Sequence, residues 1–83
     1  MGGPRKRSVS IRGHRTSFSL EEEFMVELER IAVRRSVPLA ALVAHIDETR
    51  PRDMNLSSAL RVHVLQELRQ SENITGSHRL QED

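Results

Sequence analysis

Arg15-Thr16-Ser17-Phe18-Ser19-Leu20 alternates polar and apolar for six residues, then runs into Glu21-Glu22-Glu23 and a long helical pattern. Strict period-two alternation gives one apolar face, Thr16, Phe18 and Leu20, and one polar face, Arg15, Ser17 and Ser19. So short a strand cannot stand alone in water, because its backbone donors and acceptors need a partner. The partner is either a neighbouring segment of this chain or the same strand of a second copy.

Ser8-Val9-Ser10-Ile11 also alternates, but with its apolar residues at odd positions. The parity flips across Arg12-Gly13-His14, so one continuous flat strand cannot keep both apolar sets on one face. A turn or bulge at Gly13 repairs the mismatch. Two arrangements follow: a hairpin of residues 8–11 against 15–20, or an extended arm kinked at Gly13. Met1–Pro4 has no pattern, and residues 1–7 read as a disordered basic tail.

Beyond the strand, residues 21–35 form the first helical pattern, with Phe24, Leu28, Ile31 and Arg35 on one face and Met25 and Ala32 beside them. Glu21–Glu23 stand in its first turn and Arg30, Arg34 and Arg35 near its end, the order the helix dipole favours. Ser19 and Glu22 fit a capping box, which competes with a role for Ser19 on the polar face. Pro38 ends this pattern and suits the start of a second helix over 39–48, whose apolar face is Leu39, Leu42, Val43 and Ile46. Asn55 caps a third helix over about 56–69, with Leu56, Ala59, Leu60, Val64 and Leu68 as its buried stripe. Residues 71–83 lose all periodicity and read as a flexible polar tail. The domain proper is therefore 8–70, mostly α with a short β-ribbon.

Eighty-three residues with 36% apolar and 2% aromatic side chains make a thin core. Domains of this size usually gain stability from disulfides, metal or association, and the chain has no cysteine. Association is the remaining remedy. No apolar run of signal-peptide or membrane-spanning length is present, so the expectation is a soluble cytoplasmic protein.

The net charge of +1 hides a lopsided distribution. Residues 1–20 hold Arg5, Lys6, Arg7, Arg12 and Arg15 and no acid, or +5. The rest carries eight cations against all twelve acids, or −4. Twelve of the thirteen cations are Arg, the side chain suited to bidentate phosphate and guanine contacts. A basic block abutting an ordered strand points to a polyanion-binding edge.

Catalytic and metal chemistry find no footing. The four histidines lie 31, 18 and 15 residues apart, without the i, i+3 or i+4 spacing of a helical metal pair. There is no Gly-rich phosphate loop, and nothing sets a base and an acid beside a serine. No metal, no cofactor and no enzyme activity are expected. The polar strand face remains: Arg15, Ser17 and Ser19 project on one side, and a two-stranded antiparallel ribbon fits the major groove of B-DNA.

The order strand, helix, break, helix resembles the ribbon-helix-helix family of dimeric DNA-binding proteins. The stretch from Arg7 through Gly13-His14-Arg15-Thr16-Ser17 to Glu21, then Leu28–Ala32, Leu39–Val43 and Asn55-Leu56-Ser57-Ser58-Ala59-Leu60-Arg61, is similar to a bacterial subgroup with a third helix. The resemblance implies an intertwined homodimer, with strands paired antiparallel across a two-fold axis and inserted in the major groove. It implies base contacts from Arg15, Ser17 and Ser19, and a phosphate anchor at the free backbone N–H groups of Leu39 and Ala40. Arg5, Lys6, Arg7 and Arg12 are the further candidates for DNA-backbone contacts. Phe18, Leu20, Phe24, Leu28, Ile31, Leu42 and Ile46 are the candidate dimer core. The family often has Gly and a Ser or Thr cap in the turn where this chain has Ser36 and Pro38. Double-stranded DNA and a second copy of the chain are the expected partners, in the manner of a transcriptional repressor. The alternative is a protein-interaction module, antitoxin-like or adaptor, using the third helix or the tail.

Overall fold

A computed structural model describes the backbone of residues 2–80 and the side chains of residues 2–71. The chain runs β1 (Arg5–Ile11), β2 (His14–Leu20), α1 (Glu22–Arg34), α2 (Leu39–Thr49) and α3 (Leu56–Leu80). The strands form a two-stranded antiparallel sheet with three helices packed against it.

Of the two arrangements open to the N-terminal segment, the hairpin is the one adopted. Arg5 faces Leu20, Arg7 faces Phe18, Val9 faces Thr16 and Ile11 faces His14. The connection is the two-residue turn Arg12-Gly13, with φ of 51° and 81°. Positive φ at both central residues is what a type I′ turn needs, and its twist matches that of the strands it joins. The turn also reverses the side-chain parity, so Val9 and Ile11 face the same way as Thr16, Phe18 and Leu20. Pairing begins at Arg5, which places Arg5–Arg7 in β1 rather than in a disordered tail. The register carries the ladder that far because Arg5 is the residue opposite Leu20.

The apolar face of the hairpin lies on one core formed by all three helices. Phe18 and Leu20 meet Met25, Leu28, Ile31 and Ala32 of α1, Leu42, Val43 and Ile46 of α2, and Leu56, Ala59, Leu60 and Val64 of α3. Leu20, Leu28, Leu60 and Val43 are fully buried within a single chain. Each such side chain contributes about 1.5–3 kcal/mol over its exposed state. Six of the residues expected in a dimer core are therefore buried by the protomer itself, and Phe24 is half-buried at its margin. The third helix supplies the covering surface.

Helix ends follow local chemistry. Glu21 occupies the N-cap of α1 without a side-chain cap bond, so the Ser19–Glu22 capping box does not form. Ser19 is held in β2, two residues before the N-cap. At the other end Ser36 adopts a left-handed φ of 57°. Its N–H reaches the Val33 carbonyl and that of Val37 reaches the Ala32 carbonyl, both at 3.0 Å, the paired bonds of a Schellman motif. Arg35 is the C-cap and is exposed, not part of the buried stripe. Pro38 is the extended N-cap of α2, and its carbonyl accepts from Ala41 and Leu42. Asn55 caps α3 as expected, its Oδ1 accepting the Ser58 N–H at 2.9 Å. That helix continues to Leu80, past the end at about residue 69 that its apolar stripe suggests. Residues 71–80 thus join the helix, and the last three residues of the expected tail, 81–83, lie outside the described residues.

Candidate nucleic-acid interface

The outward face of the hairpin is built by alternation. Lys6, Ser8 and Ser10 of β1 stand opposite Ser19, Ser17 and Arg15 of β2, six polar side chains with no apolar residue among them. Arg15 and Ser17 are exposed and Ser19 is half-buried. Across this face the Arg15 guanidinium donates to the Ser8 hydroxyl at 2.8 Å, a diagonal contact that leans the side chain over β1. The three expected base-reading residues are thus brought to one surface, with Lys6 as their cationic neighbour.

The other basic residues are arranged differently. Arg7 points to the helix side, where it pairs with Glu22 at 2.8 Å. Arg12 at the turn pairs with Glu48 at the end of α2. Arg5 and Lys6 are exposed, and among the described residues neither has an ion pair. Leu39 and Ala40 open α2, so their backbone N–H groups precede the first intrahelical donors.

The edges of the ribbon differ. In a two-residue hairpin the flanking residues, here Ile11 and His14, exchange both backbone bonds, and bonded pairs then recur at every second position. The N–H and C=O groups of Arg15, Ser17 and Ser19 consequently turn to the outer edge of β2. At Ser19 that edge is occupied by α3: its N–H donates to the Ser57 hydroxyl at 2.9 Å, and Arg61 Nη2 reaches its carbonyl at 3.4 Å. Arg61 also bonds Glu21 through Nε at 3.0 Å and lies 5.9 Å from the centre of the Phe24 ring. The Arg61 hydrogen bond is the main cause holding the Glu21 carboxyl below its ordinary range. Sequence reading missed Ser57 and Arg61, although both stand in the Asn-Leu-Ser-Ser-Ala-Leu-Arg block; only the folded register shows what they meet.

A family model described as a ribbon-helix-helix domain matches residues 4–68. The chain belongs to the ribbon-helix-helix family. That is a family of dimeric DNA-binding proteins without enzymatic activity. No curated protein and no solved structure matches the chain. The match takes in the hairpin, α1, α2 and the first half of α3 of this ribbon-helix-helix protein.

Elsewhere on the surface, α3 and α1 form an open groove of about 370 Å³ lined by Phe24, Arg61, Val62, Val64, Leu65 and Leu68. Val62, Leu65 and Leu68 are 38%, 45% and 46% exposed there. On the opposite side His63 sits near Glu67, which also receives Arg34 at 3.3 Å and Arg35, tying the end of α1 to α3. Burial first, then the nearby cationic Arg35 and His45, push the His63 imidazole below its ordinary value, while Glu67 opposes them. Among the described residues no three His, Asp or Glu side chains converge to hold a metal ion. Among the same residues no helix is long and apolar enough to cross a membrane.

Proposed function

We propose that the protein is a homodimeric, sequence-specific DNA-binding regulator of transcription, acting as a repressor in a bacterial cytoplasm. The observation that carries this reading is the polar face of the hairpin, with Arg15, Ser17 and Ser19 in a row beside Lys6. Two β2 strands, one from each protomer, pair edge to edge across a two-fold axis and enter the major groove together. Arg15 reads guanine bidentately, while Ser17 and Ser19 take other base-edge donors and acceptors.

Sheet width assigns the remaining contacts. Four strands at the usual spacing measure about 14 Å between the outermost two. That exceeds the roughly 12 Å of the major groove. The inner pair therefore occupies the groove and each β1 lies over a phosphate wall, with Lys6 of its outward face on the DNA backbone and Arg5, on the side of Arg7 at the open end of β1, adding to the positive field. Arg7 and Arg12 contribute to the same positive field, each tempered by its carboxylate partner. The open N-terminus of α2 at Leu39 and Ala40 anchors a further phosphate.

Selection of bound duplexes from a random pool tests the reading, with an inverted repeat as the expected product. A second reading is favoured by the apolar groove along α3, in which Val62, Leu65 and Leu68 dock a protein partner, as in an antitoxin-like or adaptor module. Recovery of a tight protein partner together with no binding to any duplex at low salt would support that reading instead.

A further inference from the structure

We propose that α3 sets the register of the dimer seam, placing the two-fold axis at Thr16. This inference rests on the dimeric DNA-binding reading above and specifies how its site is assembled. The outer edge of β2 offers bonding groups at Arg15, Ser17 and Ser19 only, because Thr16 and Phe18 spend theirs on Val9 and Arg7. Ser19 is already occupied on both counts, its N–H by Ser57 and its carbonyl by Arg61. Arg15 and Ser17 are what a second copy can use.

Two antiparallel registers bring these groups together. With the axis at Ser17, that residue pairs with its own copy and Arg15 pairs with the partner's Ser19, whose bonding groups α3 has taken. With the axis at Thr16, Arg15 pairs with the partner's Ser17 and Ser17 with the partner's Arg15. Every free group is then satisfied and Ser19 stays on α3. Leaving a strand's donors and acceptors unmade in a closed seam is costly, so the second register wins.

The consequence reaches the DNA-reading face, which is incomplete without the partner. Each Arg15 stands beside the partner's Ser17, and the two Arg15 Cα atoms lie about 8 Å apart. The Ser17-centred register separates them by about 14 Å. The Thr16 axis therefore draws both arginines to the centre of the operator, next to its dyad.

Disulfide trapping in the full chain distinguishes the registers, since the protein has no cysteine of its own. In the Thr16-centred seam the two Thr16 Cα atoms form a non-hydrogen-bonded pair at about 4.5 Å, within disulfide reach. The two Ser17 positions are then about 8 Å apart, beyond the roughly 7 Å limit. Thr16→Cys should convert to a reducible covalent dimer on mild oxidation, while Ser17→Cys should stay largely monomeric on a denaturing gel. In a Ser57→Ala background, which frees the Ser19 N–H while Arg61 keeps the carbonyl, the yield from Ser17→Cys should rise measurably.

The reverse pattern, trapping by Ser17→Cys alone, overturns the register and leaves the dimer intact. An unchanged Ser17→Cys yield in the Ser57→Ala background overturns the role given to α3. Trapping by neither variant, with the native chain sedimenting as a dimer, places the seam elsewhere and rejects this inference alone. Sedimentation of the native chain at 9.5 kDa rejects the dimeric reading as well.

Discussion

The hydroxyl of Ser57, in the first turn of α3, accepts the backbone N–H of Ser19 across 2.9 Å. One bond thus joins β2, whose outward face is polar, to the helix that closes the core. Ser57→Ala leaves that donor without its partner and should lower stability by about 0.5–2 kcal/mol, read as a reduced urea midpoint at constant slope. Leu60→Ala, one turn further along α3 and fully buried, should cost about 2–5 kcal/mol. If Leu60→Ala left the midpoint unchanged, α3 would not be part of the core.

Two turn residues carry left-handed backbones and respond in opposite ways. Ser36, at φ 57°, stands where a Schellman motif favours glycine, so Ser36→Gly should stabilise by about 0.5–1 kcal/mol. Gly13, at φ 81°, has open space around it, so a methyl group meets no neighbour but is strained by the backbone alone. Gly13→Ala should therefore destabilise by about 1–2 kcal/mol. Thermal melts of the two variants should move in opposite directions.

His63 gives the fold a pH dependence of definite sign. Its pKa is depressed in the folded chain, mainly by burial, from an unfolded value near 6.5. The unfolded state thus takes up the proton first, and stability falls as pH drops through about 6.5 toward the lower folded value. Stability should be full well above the unfolded value and decline as pH falls through it toward the lower folded value. His63→Gln should flatten that part of the profile; an equally steep decline in the variant would assign the effect to another group.

The basic residues of β1 should set affinity without setting sequence preference. Converting Arg5 and Lys6 to Gln should weaken binding to all duplexes. It should also reduce the slope of log affinity against log salt by about 0.9 for each phosphate no longer neutralised. Arg7→Gln, which removes an ion pair with Glu22 on the helix side, should change that slope little. Equal slopes for the native chain and the Arg5, Lys6 double variant would remove β1 from the phosphate wall.

Much of this arrangement was legible in residues 8–69, and the reasons are local. Alternation fixes which side of β2 holds Arg15, Ser17 and Ser19, and the parity break at Gly13 demands a turn there. Asn55 announces its helix because its side chain bonds three residues ahead. What escaped the sequence depends on partners distant along the chain. Arg5–Arg7 joins a strand only because Phe18 and Leu20 stand opposite. The Ser19–Glu22 spacing suits a cap, yet Ser57, 38 residues away, takes the Ser19 backbone instead. Six of the candidate dimer-core residues also lie in the protomer's own core with α3, whose packing no periodicity in α1 or α2 could announce.

The role of Arg15 as base reader is tested most directly by selecting bound duplexes from one random pool with the native chain and with Arg15→Ala. The native chain should enrich an inverted repeat, and the variant should lose about 1–3 kcal/mol of discrimination at one symmetric pair of base positions, with the others retained. An unchanged preference at every position in Arg15→Ala, or no enriched sequence with the native chain at low salt, would contradict the assignment of the hairpin face as the reader of DNA.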